Sequence, residues 1–389
     1  MTILYASPVF SDYRIPFYNK LNELFNGEFY IMYSPLRFEM EGLNNTLKKI
    51  PIQLKDIAYP YNDEKIFKIK KSSKQDFDKY YRIPYLQHFY KNLSRYNPKI
   101  LITEGFFQWT PAVVLYAWLH RYPVFISYER TAHTERFAPF FKILERKFLD
   151  KFVTGYLVNG TETTNYLKSL NINPQKIHIT GMSADSDGLK KGISSITQEI
   201  KVTMRSNLNI NGEGITFLFS GQFIERKGIK YLLNAWIIHS QKYPSDHLIL
   251  IGGGELLEPL KKEFENKKNI HFIGKILYDE VYKYYAISDV FIIPTLEDNW
   301  CLVVPEAMAC GMPIACSKYN GGAIDLIKNK ENGVIFDPLE QSSILDSLKF
   351  FHNKDLKTMG KHSIEIEEYF NTENCANRFF NIIRTYLNK

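Results

Sequence analysis

Short runs of apolar, largely β-branched residues alternate along the chain with amphipathic stretches of helical spacing. In the first half the runs at 3–7, 29–33, 100–103, 124–128, 154–158 and 177–180 predict strands, and 15–25, 111–121, 137–149 and 161–170 predict helices. Strands apolar on both faces and separated by helices imply a parallel sheet covered on both sides. A polar stretch over 182–212, with Ser, Asp, Gly and Asn spread through it, predicts a linker. The pattern then restarts, with strands at 216–220, 248–251, 270–273, 290–294, 313–316 and 334–336 and helices at 229–240, 256–266, 278–286, 304–310 and 322–328. Residues 363–388 are helix-like. The expected architecture is α/β: two Rossmann-like doubly wound domains facing across a cleft, over 1–190 and 200–365, with a helix over 366–389 placed to cross back to the first. Ligands of such sheets bind beyond the carboxyl ends of the strands, so the cleft is the expected site.

Composition narrows the class. The 389 residues are 45% hydrophobic and 23% charged, which excludes general disorder, and 28 Phe and 26 Tyr can furnish two cores. A net charge of +7 is mild for this length and does not imply nucleic acid. The segment 65–82 gathers Lys65, Lys68, Lys70, Lys71, Lys74, Lys79 and Arg82 among aromatics, a composition suited to an anionic membrane surface and equally to a solvated loop. The stretch 137–151 is expected to bury Phe137, Phe140, Phe141, Leu144 and Phe148, and to present Lys142, Arg146, Lys147 and Lys151 to solvent or to lipid phosphates. Four cysteines without a C-x-x-C pair argue against a disulfide framework or zinc site. The first residues read as a buried strand, not a leader, and no run of about 18 apolar residues predicts a membrane-crossing helix. The expected location is cytoplasmic, with peripheral contact at the inner face of the cell membrane.

Two segments carry chemistry. In 217–233 a strand runs into Ser220-Gly221, then a loop with Arg226-Lys227-Gly228, then a helix. Glycine at a strand end permits close approach, and two cations at a helix start suit a diphosphate. An ordinary strand–turn–helix with surface charge is the plain alternative. In 294–322 an acidic loop, Glu297-Asp298-Asn299-Trp300, leads through Cys301-Leu302-Val303 into a helix with Pro305 and Glu306, and Gly311 and Gly321-Gly322 follow. Carboxylates accept hydrogen bonds from sugar hydroxyls, and the amides between them can meet phosphate. Turn capping and the helix dipole would account for the acids alone, but not for Trp300 and the glycine turns together.

These residues resemble the retaining glycosyltransferases of the GT-B fold, specifically the family 4 group. The resemblance rests on G-x-F-x-x-R-K-G at 221–228, on Asp298 eight residues before Glu306-Ala307-Met308-Ala309-Cys310-Gly311-Met312-Pro313, and on Gly321-Gly322; it covers most of 215–340. It implies that Arg226 and Lys227 neutralise the diphosphate leaving group and that Glu306 holds the ribose. It implies that Asp298 or Glu297, with the amides of Asn299, Trp300 and Cys301, orients the transferred sugar, and that the Leu302 and Val303 amides face phosphate. Gly221 and Ile276 join the donor site, Ile276 against the base. The chain departs from the pattern at Asp298, where the family has Glu, at Gln222, where Arg is common, and at Cys301, where glycine is common.

In the first half, His133 follows a predicted strand, where several relatives place a histidine near the donor sugar; a satisfied surface histidine is the alternative. Tyr13, Arg14, Glu104 and Glu129 lie at strand ends and are acceptor-site candidates. The implied partners are a nucleotide-sugar donor and a glycan or lipid-linked glycan acceptor, with no nucleic acid. No cofactor and no metal is expected, since fixed cations serve the leaving group. Polysaccharide or glycolipid assembly at a bacterial surface is the implied setting. A non-catalytic nucleotide-sugar-binding subunit is the alternative function. A dinucleotide oxidoreductase fails because Gly252-Gly253-Gly254 lies late and Leu257 stands where a third glycine is needed.

Overall fold

The computed structural model describes residues 2–10, 12–37, 57–70, 80–106, 108–210 and 212–387. The chain forms two compact units, Met1–Ser183 with Thr372–Lys389, and Ala184–Asn371.

The first unit is built on strands β1 (Ile3–Ala6), β2 (Phe29–Tyr33), β3 (Ala58–Pro60), β6 (Ile100–Glu104), β7 (Val124–Tyr128), β8 (Gly155–Val158) and β9 (Ile177–Ile179), with a hairpin of β4 (Glu64–Lys70) and β5 (Tyr80–Leu86) between them in sequence. The seven strands pair in the order β3-β2-β1-β6-β7-β8-β9, all parallel. Strands β1, β6 and β8 are buried throughout or nearly so, because helices cover both faces. Pro16 and Pro111 open helices Ile15–Leu24 and Thr110–His120, where a missing N–H costs nothing. On one face lie Trp109, Val113, Ala117, Tyr156 and Leu167. On the other lie Tyr18, Leu21, Phe29, Phe125, Phe379 and Ile383.

The second unit repeats the plan with β10 (Thr216–Ser220), β11 (His247–Ile251), β12 (Ile270–Gly274), β13 (Val290–Ile293), β14 (Ile314–Ser317) and β15 (Gly333–Phe336), in the parallel order β12-β11-β10-β13-β14-β15. Each unit is thus a Rossmann-like α/β layer whose strand order reverses beside its first strand. That reversal lies between β1 and β6 in one unit and between β10 and β13 in the other.

Three expectations need correction. The stretch 182–212 is not an open linker: helices Ser186–Ser195 and Gln198–Asn207 occupy most of it, capped by Asp185 on the Gly188 amide and Thr197 on the Ile200 amide, and the unit boundary falls at Ser183. The last stretch is two helices, Leu356–Phe370 in the second unit and Thr372–Leu387 in the first, broken at Asn371. Within 137–151 the helix is Phe140–Leu149, and its phenylalanines face outward while Arg146 is buried. The guanidinium can be buried because Glu135 Oε2 accepts from it at 2.5 Å and the Tyr166 hydroxyl meets it as well. Lys71, Lys74 and Lys79 of the basic segment lie outside the described residues.

Candidate active site

In the second unit the loops leaving β10, β13 and β14 are tied together at the strand-order reversal. The Arg226 carbonyl accepts from the Leu296 amide at 2.8 Å and from the Thr295 hydroxyl at 3.1 Å. Ser317 Oγ donates to the Thr295 carbonyl at 2.6 Å, and the Gly321 amide donates to the Asp298 carbonyl at 2.9 Å. Two glycines permit this closeness. Gly228 has φ +65°, and a Cβ there would stand 2.0 Å from the Pro294 carbonyl oxygen. A Cβ on Gly322 would press on the Trp300 ring at 2.9 Å.

Within this knot Lys227 Nζ lies 2.5 Å from Asp298 Oδ2, and Arg226 Nη1 lies 3.7 Å from the same oxygen. Arg226 Nη1 also donates to the Glu297 carbonyl at 3.2 Å. Burial works against both charges of the Lys227–Asp298 pair. The pairing outweighs it: the Lys227 ammonium is raised by Cys301 and Asp298, and the Asp298 carboxyl is lowered by Lys227 and Arg226. Asp298 Oδ1 accepts from the Cys301 amide at 3.0 Å and the Trp300 amide at 3.4 Å. Two of the three amides read from sequence as sugar ligands are therefore directed at Asp298, which acts as the cap of its own loop. Cys301 holds φ +54°, the left-handed geometry for which glycine is suited. Its thiol is buried 3.9 Å from Lys227 Nζ.

The loop continues through Leu302 into helix Val303–Ala309, whose Val303 amide, as the first of the helix, has no intrahelical acceptor. Glu306 is buried on this helix. Its two oxygens accept from Tyr278 OH and Tyr285 OH, each at 3.2 Å. Burial pushes its carboxyl up to about 7, against the pull of the two tyrosine hydrogen bonds and with a further push from Asp185. A carboxylate offers about four acceptor positions, so two remain beyond the tyrosines. Tyr278 and Tyr285 were not read from sequence as site residues. Their seven-residue spacing was the signal; Tyr285 lies on helix Val281–Ile287 and Tyr278 on the 3-10 turn that precedes it. Gly221 follows β10, and its amide donates to the Ile251 carbonyl at 3.0 Å. Ile276 is half-buried in the loop after β12. Glu297, Asn299, Leu302 and Val303 are likewise half-buried around the knot.

In the first unit the reversal between β1 and β6 gathers a second cluster. Arg14 Nη2 lies 3.1 Å from Glu104 Oε1 and 3.5 Å from Glu129 Oε2, and Arg14 Nη1 donates to Tyr5 OH at 3.0 Å. Ser7 Oγ donates to Glu104. The Arg14 guanidinium also sits 5.8 Å from the Tyr13 ring centroid. The structure thus brings together the four acceptor-site candidates of this unit, Tyr13, Arg14, Glu104 and Glu129. His133 is half-buried in the turn after β7, where its carbonyl accepts from the Arg136 amide at 3.4 Å.

Among the described residues, one group has the composition of a metal site: His239, Asp246 and His352. Both His Nε2 atoms lie at hydrogen-bond distance from Asp246 Oδ2, 2.7 and 2.9 Å, at the amino end of β11 and so at the opposite end of the sheet from the knot. All four cysteines are free thiols.

Residues 201–364 match the family model described as glycosyl transferases group 1. An uncharacterized glycosyltransferase of Haemophilus influenzae is 34% identical over 140 residues, covering 35% of this chain and 38% of that protein. The UDP-Gal:alpha-D-GlcNAc-diphosphoundecaprenol alpha-1,3-galactosyltransferase of Escherichia coli is 25% identical over 228 residues, covering 56% of this chain and 54% of its own length. The chain thus spans about half, or less, of the curated relatives it matches. Among solved structures, Anabaena HepE in complex with UDP superposes with a TM-score of 0.75 at 14% identity, covering 99% of this chain and 100% of that one. Sucrose-phosphate synthase from Thermosynechococcus elongatus superposes with a TM-score of 0.68 at 16% identity, covering 100% and 99%. With two parallel Rossmann-like sheets and the Arg226–Lys227–Glu306 loops in place, the chain has the GT-B fold, and its residues 201–364 carry the match to the group 1 glycosyl transferases.

Proposed function

We propose that this chain moves a sugar from a nucleoside diphosphate sugar onto a glycan or lipid-linked glycan with retention of configuration, as a family 4-type enzyme of bacterial surface polysaccharide or glycolipid assembly. One observation carries the reading: Lys227 and Arg226 converge at the strand-order reversal of the second unit, on a loop that leads directly to Glu306. Ligands of such sheets bind at that reversal, beyond the strand ends.

As the bond between sugar and β-phosphate breaks, negative charge grows on the phosphate oxygens. Two fixed cations and the Leu302 and Val303 amides oppose it without reorganising. This charge balance needs no divalent metal. Glu306 receives the ribose hydroxyls on its remaining acceptor positions. Asp298 positions Lys227 and the loop, because its two oxygens already face Lys227, Arg226 and the Trp300 and Cys301 amides. Glu297 and the Asn299 amide are assigned to the transferred sugar, and Ile276 to the base. His133 and the Arg14–Glu104–Glu129 cluster are assigned to the sugar and the acceptor. The name of the Escherichia coli relative supports a UDP-sugar donor and an acceptor carried on lipid.

Calorimetric titration with a panel of nucleotide-sugars, beside a transfer assay on lipid-linked glycans, tests the reading. Binding and turnover by the wild type, with turnover lost in Lys227→Ala while the melting curve stays cooperative, is the expected result. Binding without turnover on any acceptor would favour a non-catalytic donor-binding subunit, and absence of nucleotide binding would end both readings.

A further inference from the structure

Helix Phe140–Leu149 presents its phenylalanines outward. Phe140 is 71% exposed, and Phe141, Leu144 and Phe148 are exposed with it. Residues 140, 144 and 148 recur at four-residue spacing, so they form one stripe, with Phe141 alongside. Helix Thr110–His120 does the same with Leu115, Trp118 and Leu119, at spacings of three and four. Phe152 joins the two faces: its ring centroid lies 5.4 Å from that of Phe148 and 5.9 Å from that of Trp118. The result is a continuous exposed apolar surface on the first unit. Isolated exposed apolar residues are ordinary, but a connected aromatic patch marks an interaction surface.

The charge around the patch selects the occupant. Lys147, Lys151 and Arg121 are exposed at its border. No Asp or Glu occurs from Gly105 to Tyr128. Of the acids on or near the helix, Glu145 is half-buried beside Lys142 and Arg146, Asp150 is held by Lys176 at 3.2 Å, and Glu135 by Arg146 at 2.5 Å. A second copy docking by this same face would set these two lysines and Arg121 against the same cations of its partner, which repel. An anionic bilayer meets both requirements at once: acyl chains take the aromatic stripe and phosphates take the basic border.

We infer that the outward faces of helices Thr110–His120 and Phe140–Leu149 form a docking surface for an anionic lipid bilayer, with Phe140, Phe141, Phe148 and Trp118 inserted at the headgroup level. The surface deepens the reading of a lipid-linked acceptor, but vesicle binding is independent of transfer, so the two can fail separately.

Trp118 supplies a built-in reporter, since Trp109, Trp236 and Trp300 are buried and Trp118 is 58% exposed. The full chain would be mixed with vesicles of phosphatidylcholine alone and of equal parts phosphatidylcholine and phosphatidylglycerol, then followed by flotation and tryptophan emission. The expected result is flotation with the anionic vesicles and a blue shift that Trp118→Phe abolishes. The triple variant Phe140→Ser/Phe141→Ser/Phe148→Ser should lose partitioning by on the order of tenfold or more, while keeping its melting temperature and nucleotide affinity, because the three side chains are exposed. Lys147→Glu/Lys151→Glu should lose on the order of tenfold on anionic vesicles only. The inference is overturned if the wild type does not float, or if the triple variant floats equally well. It is also overturned if light scattering shows a dimer that the triple variant converts to monomer without any flotation, which would assign the face to a second copy.

Discussion

Lys227 Nζ and Asp298 Oδ2 stand 2.5 Å apart although seventy-one positions separate them in sequence. The pair joins the loop after β10 to the loop after β13, and both partners are largely buried, with side-chain exposures of 11% and 16%. Removing one partner leaves an uncompensated charge, a loss of about 3 kcal/mol. Lys227→Met and Asp298→Asn should each destabilise the chain by that order in urea denaturation. The double variant should lose clearly less than the sum, since it removes both charges. Nucleotide-sugar binding should disappear in both variants that lack Lys227. An additive cycle would mean that the pair does not organise the loops.

Glu306 gives the site a pH dependence. Its carboxyl is pushed from an ordinary 4.5 up to about 7 by burial, so the folded protein binds this proton more tightly than the unfolded chain. The contribution to stability therefore falls as pH rises through the window from about 4.5 to about 7 and is level above it, with a span of about 3 kcal/mol at most. Glu306→Gln should flatten this part of the stability profile. For donor binding the direction is opposite, because the ionised carboxylate is the stronger acceptor and offers more positions to ribose hydroxyls beyond its two tyrosines than the neutral acid does. Affinity for a nucleotide-sugar, whose diphosphate does not titrate here, should strengthen from pH 6 to pH 8 in the wild type and change little in Glu306→Gln. The measurement is calorimetric titration across that range.

Much of this was legible in the sequence, for identifiable reasons. Strands such as 29–33, 124–128 and 216–220 were located because helices cover both sheet faces, leaving uninterrupted apolar runs between polar connections. Arg226, Lys227 and Glu306 were legible because local spacing fixes a strand–loop–helix. What spacing cannot show is which oxygen an amide meets. Asp298 or Glu297 was expected to face a sugar, and the Asp298 carboxylate is engaged by Lys227 and by the loop that it begins. The inversion of helix Phe140–Leu149 was hidden for a related reason. A phenylalanine stripe ordinarily faces a core, and only the tertiary partners Glu135 and Tyr166 make a buried Arg146 tolerable.

Cys301 occupies left-handed backbone at φ +54° with its thiol buried. Glycine would relieve roughly 1 kcal/mol of conformational cost while leaving a small void and a freer unfolded chain, so Cys301→Gly should lie within about 1 kcal/mol of wild type. A β-branched side chain resists this geometry far more strongly, and Cys301→Val should destabilise by about 2 kcal/mol or more. Guanidinium denaturation of the three proteins decides. A stable valine variant would mean that the loop does not hold this backbone.

The last helix of the chain completes the core of the first unit. Phe379 is buried between Phe17 and Phe29, with ring centroids 5.7 and 6.4 Å away, and Phe380 meets Phe25 at 4.8 Å. Phe379→Ala opens a cavity among aromatic rings and should cost about 3–5 kcal/mol, whereas Asn381→Ala on the exposed side should change stability by less than about 0.5 kcal/mol. Truncation after Asn371 removes the whole helix and leaves Phe17, Phe25 and Phe29 uncovered, so the shortened chain should aggregate or bind a hydrophobic dye during expression trials and melting. The second unit ends at Asn371 and keeps all its elements in that truncation. A nucleotide-sugar should therefore still raise the melting transition of the soluble fraction, through the second unit alone. A soluble truncated chain with unchanged melting would show that Thr372–Leu387 is dispensable to the first unit.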